Sequence, residues 1–136
     1  MEALQERLRA VVAAHPDVRL AYVFGSAARG DLRANSDVDV AVRFVVRPAL
    51  ERLAALADDL EPAAGRRADV VDLDAAPPLL LREVVKEGRL LFAASDEERV
   101  AFETTALARY TDTVYLRRVQ AEYLRAWAEA HRARAR

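Results

Sequence analysis

Apolar residues change their spacing several times along this chain, and each change marks an element. Leu4, Leu8, Val11 and Val12 fall on one stripe, so Glu2 to about Ala14 is predicted as a helix. His15-Pro16 ends it, because the residue before a proline is pushed out of the α region. Val18 to Phe24 (VRLAYVF) reads as a largely buried strand. Gly25-Ser26-Ala27-Ala28-Arg29-Gly30-Asp31, with glycines near both ends, reads as a tight turn leading into a short helix or loop. From Asp37 to Val46, Val38, Val40 and Val42 alternate with Asp37, Asp39 and Ala41, the period-two pattern of a second strand.

Pro48 opens a helix with Leu53, Leu56, Ala57 and Leu60 inward, stopping near Pro62 and Gly65. Arg67 to Leu73 is a third strand. Pro77-Pro78 suits the first turn of a helix, where the missing N–H groups have no helical partner, and that helix stops at Gly88. Arg89 to Ala93 is a short fourth strand. Ser95-Asp96-Glu97-Glu98 has capping-box spacing and starts the last helix. This order predicts an α/β (α+β) domain, a mixed sheet of about four strands flanked by helices. Residues 1–94 are expected to be its core and 95–136 a C-terminal helical extension, part of the same domain or partner-binding.

That extension poses a geometric question. About forty helical residues would span roughly 60 Å, against a radius of gyration of about 14 Å for a domain of this size. A break is therefore expected at Thr111-Asp112-Thr113. Beyond it, Leu116, Val119, Tyr123 and Trp127 form a stripe that either packs back on the domain or faces a partner chain. The basic tail His131–Arg136 is expected to fray.

Composition narrows the function classes. The 136 residues, 53 % hydrophobic and 32 % charged, suit one globular domain. The absence of cysteine excludes disulfides, thiolate nucleophiles and Cys-based zinc sites. With 21 basic and 22 acidic residues the net charge is −1, which argues against direct nucleic-acid binding through bulk charge. No apolar run approaches the roughly 18 residues of a membrane span. Met1–Ala10 mixes Glu and Arg among Leu and resembles no secretory or transit signal, so a cytoplasmic location is expected.

The segment richest in chemistry is Gly25-Ser26, ten residues, then Asp37-Val38-Asp39. Residues two apart on a strand share a face, with Cα atoms about 6.6 Å apart, so Asp37 and Asp39 project side by side. Adjacent carboxylates resist joint ionisation unless a cation stands between them. Mg²⁺ does this while keeping waters and taking phosphate oxygens as further ligands. Gly25 lets the backbone approach a ligand without Cβ interference, and Ser26 adds a hydroxyl. A phosphate cradle followed by a metal seat is what triphosphate chemistry requires. A bare Asp-x-Asp is more often a solvated strand face; the upstream turn shifts the balance. A third carboxylate is expected from the next strand. Asp69 and Asp72 are three apart and face opposite sides, so only one can join the pair. Asp69 is the choice, leaving Asp72 or Asp74 to help cap the following helix.

The motif Gly25-Ser26-x10-Asp37-x-Asp39 resembles the signature of the minimal nucleotidyltransferases of the DNA polymerase β superfamily. AYVFGSAARG, NSDVDVAV, RRADVVDLDAAPPLLLREVVKEGRLLF and FETTALARYTD together resemble the MntA-type adenylyltransferase antitoxins of type VII toxin–antitoxin systems, over roughly residues 1–115. The resemblance implies the nucleotidyltransferase fold, with ATP as substrate and two Mg²⁺ ions at the sheet edge. It implies AMP transfer to a tyrosine of a HEPN-class ribonuclease toxin, which silences the toxin. It assigns Gly25 and Ser26 to the triphosphate turn, Asp37 and Asp39 to the metal pair, and Asp69 to the third carboxylate, which assists deprotonation of the attacking hydroxyl. Ala68 stands where a valine is more usual, an exchange that touches nothing catalytic.

Secondary candidates are Arg29, placed to reach a phosphate from the turn, and Ser36, which touches the nucleotide, orients a carboxylate or forms a local turn. Arg66-Arg67 frames the cleft. Two other functions fit less well. A small-molecule adenylyltransferase, such as an aminoglycoside-modifying enzyme, would need an added acceptor domain. An antitoxin acting by steric occlusion would have no use for Ser26, Asp37, Asp39 and Asp69 together. The C-terminal helix also offers a route to homo- or hetero-oligomers.

Overall fold

The computed structural model describes residues 2–135, with side chains for residues 2–132. The element order is α1 (Glu2–Ala13), β1 (Val18–Phe24), α2 (Ser26–Arg29), β2 (Val38–Phe44), α3 (Leu50–Ala64), β3 (Ala68–Asp72), α4 (Pro78–Glu87), β4 (Arg89–Ala93) and α5 (Asp96–Ala135). The predicted elements are all present, with shifts of a few residues at their ends. Asp37 is the largest consequence for the site, since β2 begins one residue after it. Pro62 lies inside the last turn of α3, which ends on Gly65 in the left-handed conformation (φ 68°).

One four-stranded sheet runs β3-β2-β1-β4. β1 is antiparallel to both β2 and β4, and β2 is parallel to β3. The central strand β1 is buried on both faces, which is why VRLAYVF carries an almost unbroken apolar run. On one face Ala21, Val23, Val38, Val40, Val42 and Val70 pack against Leu8 and Val12 of α1 and Leu56 and Leu60 of α3. On the other, Leu20, Tyr22, Phe24 and Ala41 meet Leu81 and Val84 of α4 and Phe102 and Ala106 of α5. Val18 joins the first face, out of step with Leu20, because the pairing register slips between them. Fully buried leucines such as Leu56 and Leu60 each contribute about 1.5–3 kcal/mol by leaving water.

The α5 helix starts as the sequence predicts. The Ser95 hydroxyl accepts the Glu98 N–H and donates to its carboxylate, both at 3.2 Å. Arg19 donates to both oxygens of Glu98, at 3.1 and 2.7 Å, fixing this end to β1. The break at Thr111-Asp112-Thr113 does not occur, and α5 runs unbroken over 40 residues. The threonine hydroxyls donate to carbonyls four residues back, Thr111 to Leu107 (3.0 Å) and Thr113 to Arg109 (2.9 Å), which absorbs both residues into the helix. The tail also stays helical to Ala135; His131 Nδ1 contacts the Trp127 carbonyl at 2.9 Å and its ring stacks on the indole. Arg136 lies outside the described residues. Phe102 and Ala106 bury the base of α5, but the later stripe does not pack back. Val119 is 45 % and Tyr123 69 % exposed, with Leu116, Leu124 and Trp127 between them.

Candidate active site

The site forms where β1 leaves the sheet and β2 enters it. Gly25 follows Phe24 with φ 69° and ψ −147°, a conformation open in practice to glycine alone. A Cβ added there would stand 2.5 Å from Oδ2 of Asp39 and would push that carboxylate aside, while the torsion itself requires glycine. Ser26 opens the single turn α2, which closes on Gly30 in the left-handed conformation (φ 77°). The Asp31 N–H returns to the Ser26 carbonyl at 2.8 Å, and Arg89 Nε donates to the Ala28 carbonyl at 3.3 Å, tying the turn to β4.

Asp39 is flanked on both sides. Its register partner on β1 is Phe24, and on β3 it is Asp69. Asp39, Ala41, Asp69 and Val71 share the face turned toward α4 and α5, as the alternation predicts. Burial pushes the Asp39 carboxyl above its ordinary range, and the charges of Asp69, Asp37 and Glu83 push it further, while Arg29 acts in the opposite sense. Asp39 therefore sits in a local excess of negative charge that a cation would relieve. Asp37 lies at the end of the incoming segment rather than on the strand. Arg66 holds that segment by donating to the carbonyls of Arg33 (2.7 Å) and Ser36 (3.2 Å). The Ser36 hydroxyl accepts the Arg33 N–H at 3.1 Å, forming the local turn.

Asp39 and Asp69 thus share one rung of the sheet, with Asp37 two residues before Asp39 and near enough for its charge to act on that carboxyl. Among the described residues no three acidic, histidine or cysteine side chains close around a point as a finished metal cage. The donor set is that of an open seat, hard oxygens on one side only. It fits a cation such as Mg²⁺, which takes one or two carboxylates and completes its shell with water and phosphate. Asp72 turns to the opposite face, is buried, and accepts the Asp74 N–H at 3.0 Å. It shapes the loop before α4 instead of capping that helix, whose N-terminus carries no side-chain cap.

Sequence inspection did not single out Glu83. It lies on α4 and bonds Arg29 at 3.3 Å, and Glu87 one turn on approaches the same guanidinium at 3.8 Å. Their i, i+4 spacing is legible in the sequence, but that α4 faces α2 is not. His15 is structural: Arg52 donates to its Nδ1 (2.8 Å), so Nε2 carries the proton shared with Asp59 (3.0 Å). Tyr22 is a core residue, its hydroxyl donating to Glu103 at 2.8 Å.

A glycine–serine turn set against a carboxylate pair at a mixed-sheet edge defines a nucleotidyltransferase. The family described as "Polymerase beta, Nucleotidyltransferase" matches residues 6–97, and the chain belongs to that family. Within it, the chain is 34 % identical over 98 residues to the protein adenylyltransferase MntA of Shewanella oneidensis, covering 70 % of this chain and 69 % of that protein. A solved toxin–antitoxin structure with AMP-PNP contains a chain 25 % identical to this one, with a TM-score of 0.76 over 88 % of this chain and 97 % of that one. The same fold recurs, at 22 % identity and a TM-score of 0.72, in a complex of a tri-AMPylated Shewanella oneidensis HEPN toxin with MNT antitoxin, covering 90 % of this chain and 97 % of that one.

Proposed function

We propose that this nucleotidyltransferase moves AMP from ATP onto a tyrosine hydroxyl of a HEPN-type toxin and thereby silences it. One observation carries the reading: Asp39 stands in register with Asp69 and against the Gly25 turn, so two carboxylates adjoin the turn read as a phosphate cradle. Similarity to the MntA adenylyltransferase and to a toxin–antitoxin chain solved with AMP-PNP supports the protein acceptor and the nucleotide.

In this mechanism the backbone at Gly25-Ser26 and the Arg29 guanidinium receive the β- and γ-phosphates. Ser36 holds the turn that presents Asp37. Asp37, Asp39 and Asp69 would hold Mg²⁺, two ions in one seat, which when bound neutralise the triphosphate and lower the pKa of the incoming hydroxyl. Asp69 accepts the phenolic proton. The tyrosine oxygen bonds to the α-phosphorus as the bond to the β-phosphate oxygen breaks, and pyrophosphate leaves with that electron pair.

The acceptor docks on α5. Residues 1–94 serve as the catalytic core, and the helix beyond them carries an exposed apolar stripe. Arg117, Arg118, Arg125 and Arg132 outnumber Glu122 and Glu129 around that stripe, which suits an acidic helical partner. Among the described residues no helix is long and apolar enough to cross a membrane, in keeping with action in the cytoplasm.

Incubation with ATP, Mg²⁺ and the cognate toxin tests this reading. The toxin should gain the mass of AMP on tyrosine. Neutralisation without any mass gain would establish occlusion instead.

A further inference from the structure

Arg29 brings one positive charge to three carboxylates, those of Asp31, Glu83 and Glu87. Its Nη1 lies 3.3 Å from Glu83 and 3.8 Å from Glu87, and its Nε 3.6 Å from Asp31. The backbone beneath it is fixed, with Arg29 N–H on the Gly25 carbonyl and Gly30 N–H on that of Ala27. Any change of partner is therefore a rotation of the side chain. The side chains concerned are 38–69 % exposed, so their ion pairs are weak and easily exchanged. Arg29 closes the turn α2 that follows Gly25, and Gly25 lies against Asp39, so the pair stands beside the carboxylate seat.

We propose that Glu83 is a positioning residue: with Glu87 it holds Arg29 aside in the empty protein, releases it to the triphosphate, and takes it back as pyrophosphate leaves. This rests on the Arg29–phosphate contact proposed above. Binding of triphosphate must break the Arg29–Glu83 pair, which opposes binding, and re-forming that pair favours release of the product anion. Glu83 thus trades affinity for turnover, and its influence passes through Arg29.

Calorimetric titration of AMP-PNP and of inorganic pyrophosphate, each with Mg²⁺, tests this without any acceptor. Glu83→Gln should bind both about two- to fivefold more tightly than the parent, the range expected on releasing one exposed ion pair. Arg29→Ala should bind both more weakly. In the Arg29→Ala background, adding Glu83→Gln should recover little. Weaker or unchanged binding by Glu83→Gln, or an equal gain with and without Arg29, overturns the proposal; in the second case Glu83 acts by direct repulsion alone. Unchanged affinity in Arg29→Ala removes the underlying phosphate contact instead. Loss of transfer in Asp39→Asn would stand apart from either result. Glu83→Gln is a surface exchange of equal shape, and an unchanged melting curve confirms that it folds; Glu87→Gln should show the same sign with a smaller effect.

Discussion

Asp39 and Asp69 occupy the same rung of the parallel ladder between β2 and β3. Neighbouring strands lie about 4.8 Å apart, so two carboxylates on one rung and one face must share a small volume. Burial and this neighbour, together with Asp37 and Glu83, hold the Asp39 carboxyl above its usual range. The arrangement is unfavourable for the empty fold and favourable for a cation-bearing ligand, as expected of a site selected for chemistry over stability.

Asp39→Asn should therefore separate the two. Transfer should fall by a hundredfold or more, on the order of the loss of one preorganised charged group. The ligand-free protein should melt higher than the parent at pH 7. A carboxyl whose folded pKa is raised binds more protons in the native state, so its contribution turns unfavourable as pH rises through the window above the unfolded value of 3.8. The advantage of the Asn variant should shrink as the pH falls toward that value. Thermal melts at pH 7 and pH 4 check it, and a variant less stable than the parent at pH 7 would contradict it.

Gly25→Ala should lose nucleotide binding and also destabilise the fold. The residue adopts φ 69°, and its added Cβ would meet Asp39 Oδ2 at 2.5 Å. Strain of this type costs about 1–3 kcal/mol. Denaturant unfolding and AMP-PNP titration measure the two losses; a stable variant with parental affinity would refute the cradle.

Asp17 tests the opposite sign. Arg52 donates to both its oxygens at 2.8 Å and holds its pKa below the usual range. This stability is present above the unfolded value of 3.8 and is lost as pH falls through the lower folded value. Asp17→Asn should cost less than about 1 kcal/mol at pH 7, since the pair is partly exposed. The difference from the parent should vanish in strong acid, as urea unfolding across pH would show.

Val119→Asp combined with Tyr123→Ser should abolish binding of the partner and leave AMP-PNP affinity and melting temperature within error. Both side chains are exposed and far along α5 from the core, so the fold does not depend on them. A drop in melting temperature would mean that the stripe packs within the chain.

The local pattern was enough to place the elements, because periods of two and 3.6 are written in adjacent residues. It also marked Gly25 as a turn glycine and put Asp37 on the strand beside Asp39, whereas Asp37 lies just outside the strand. The preference for Asp69 over Asp72 followed from alternation, yet the rung it shares with Asp39 depends on how β3 pairs with β2. Glu83 was invisible as a site residue, since its partner Arg29 lies 54 positions away. Arg66 was expected to frame the cleft, but its hold on the Arg33 carbonyl, 33 positions away, depends on the fold. The course of α5 was likewise undetermined. Thr111 and Thr113 disfavour a helix by propensity, but their hydroxyls found carbonyl partners within it. An apolar stripe at helical spacing looks the same whether it packs inward or faces solvent. Its period is set by the backbone of one helix, while its burial is set by where the rest of the chain lies, which only the tertiary structure decides.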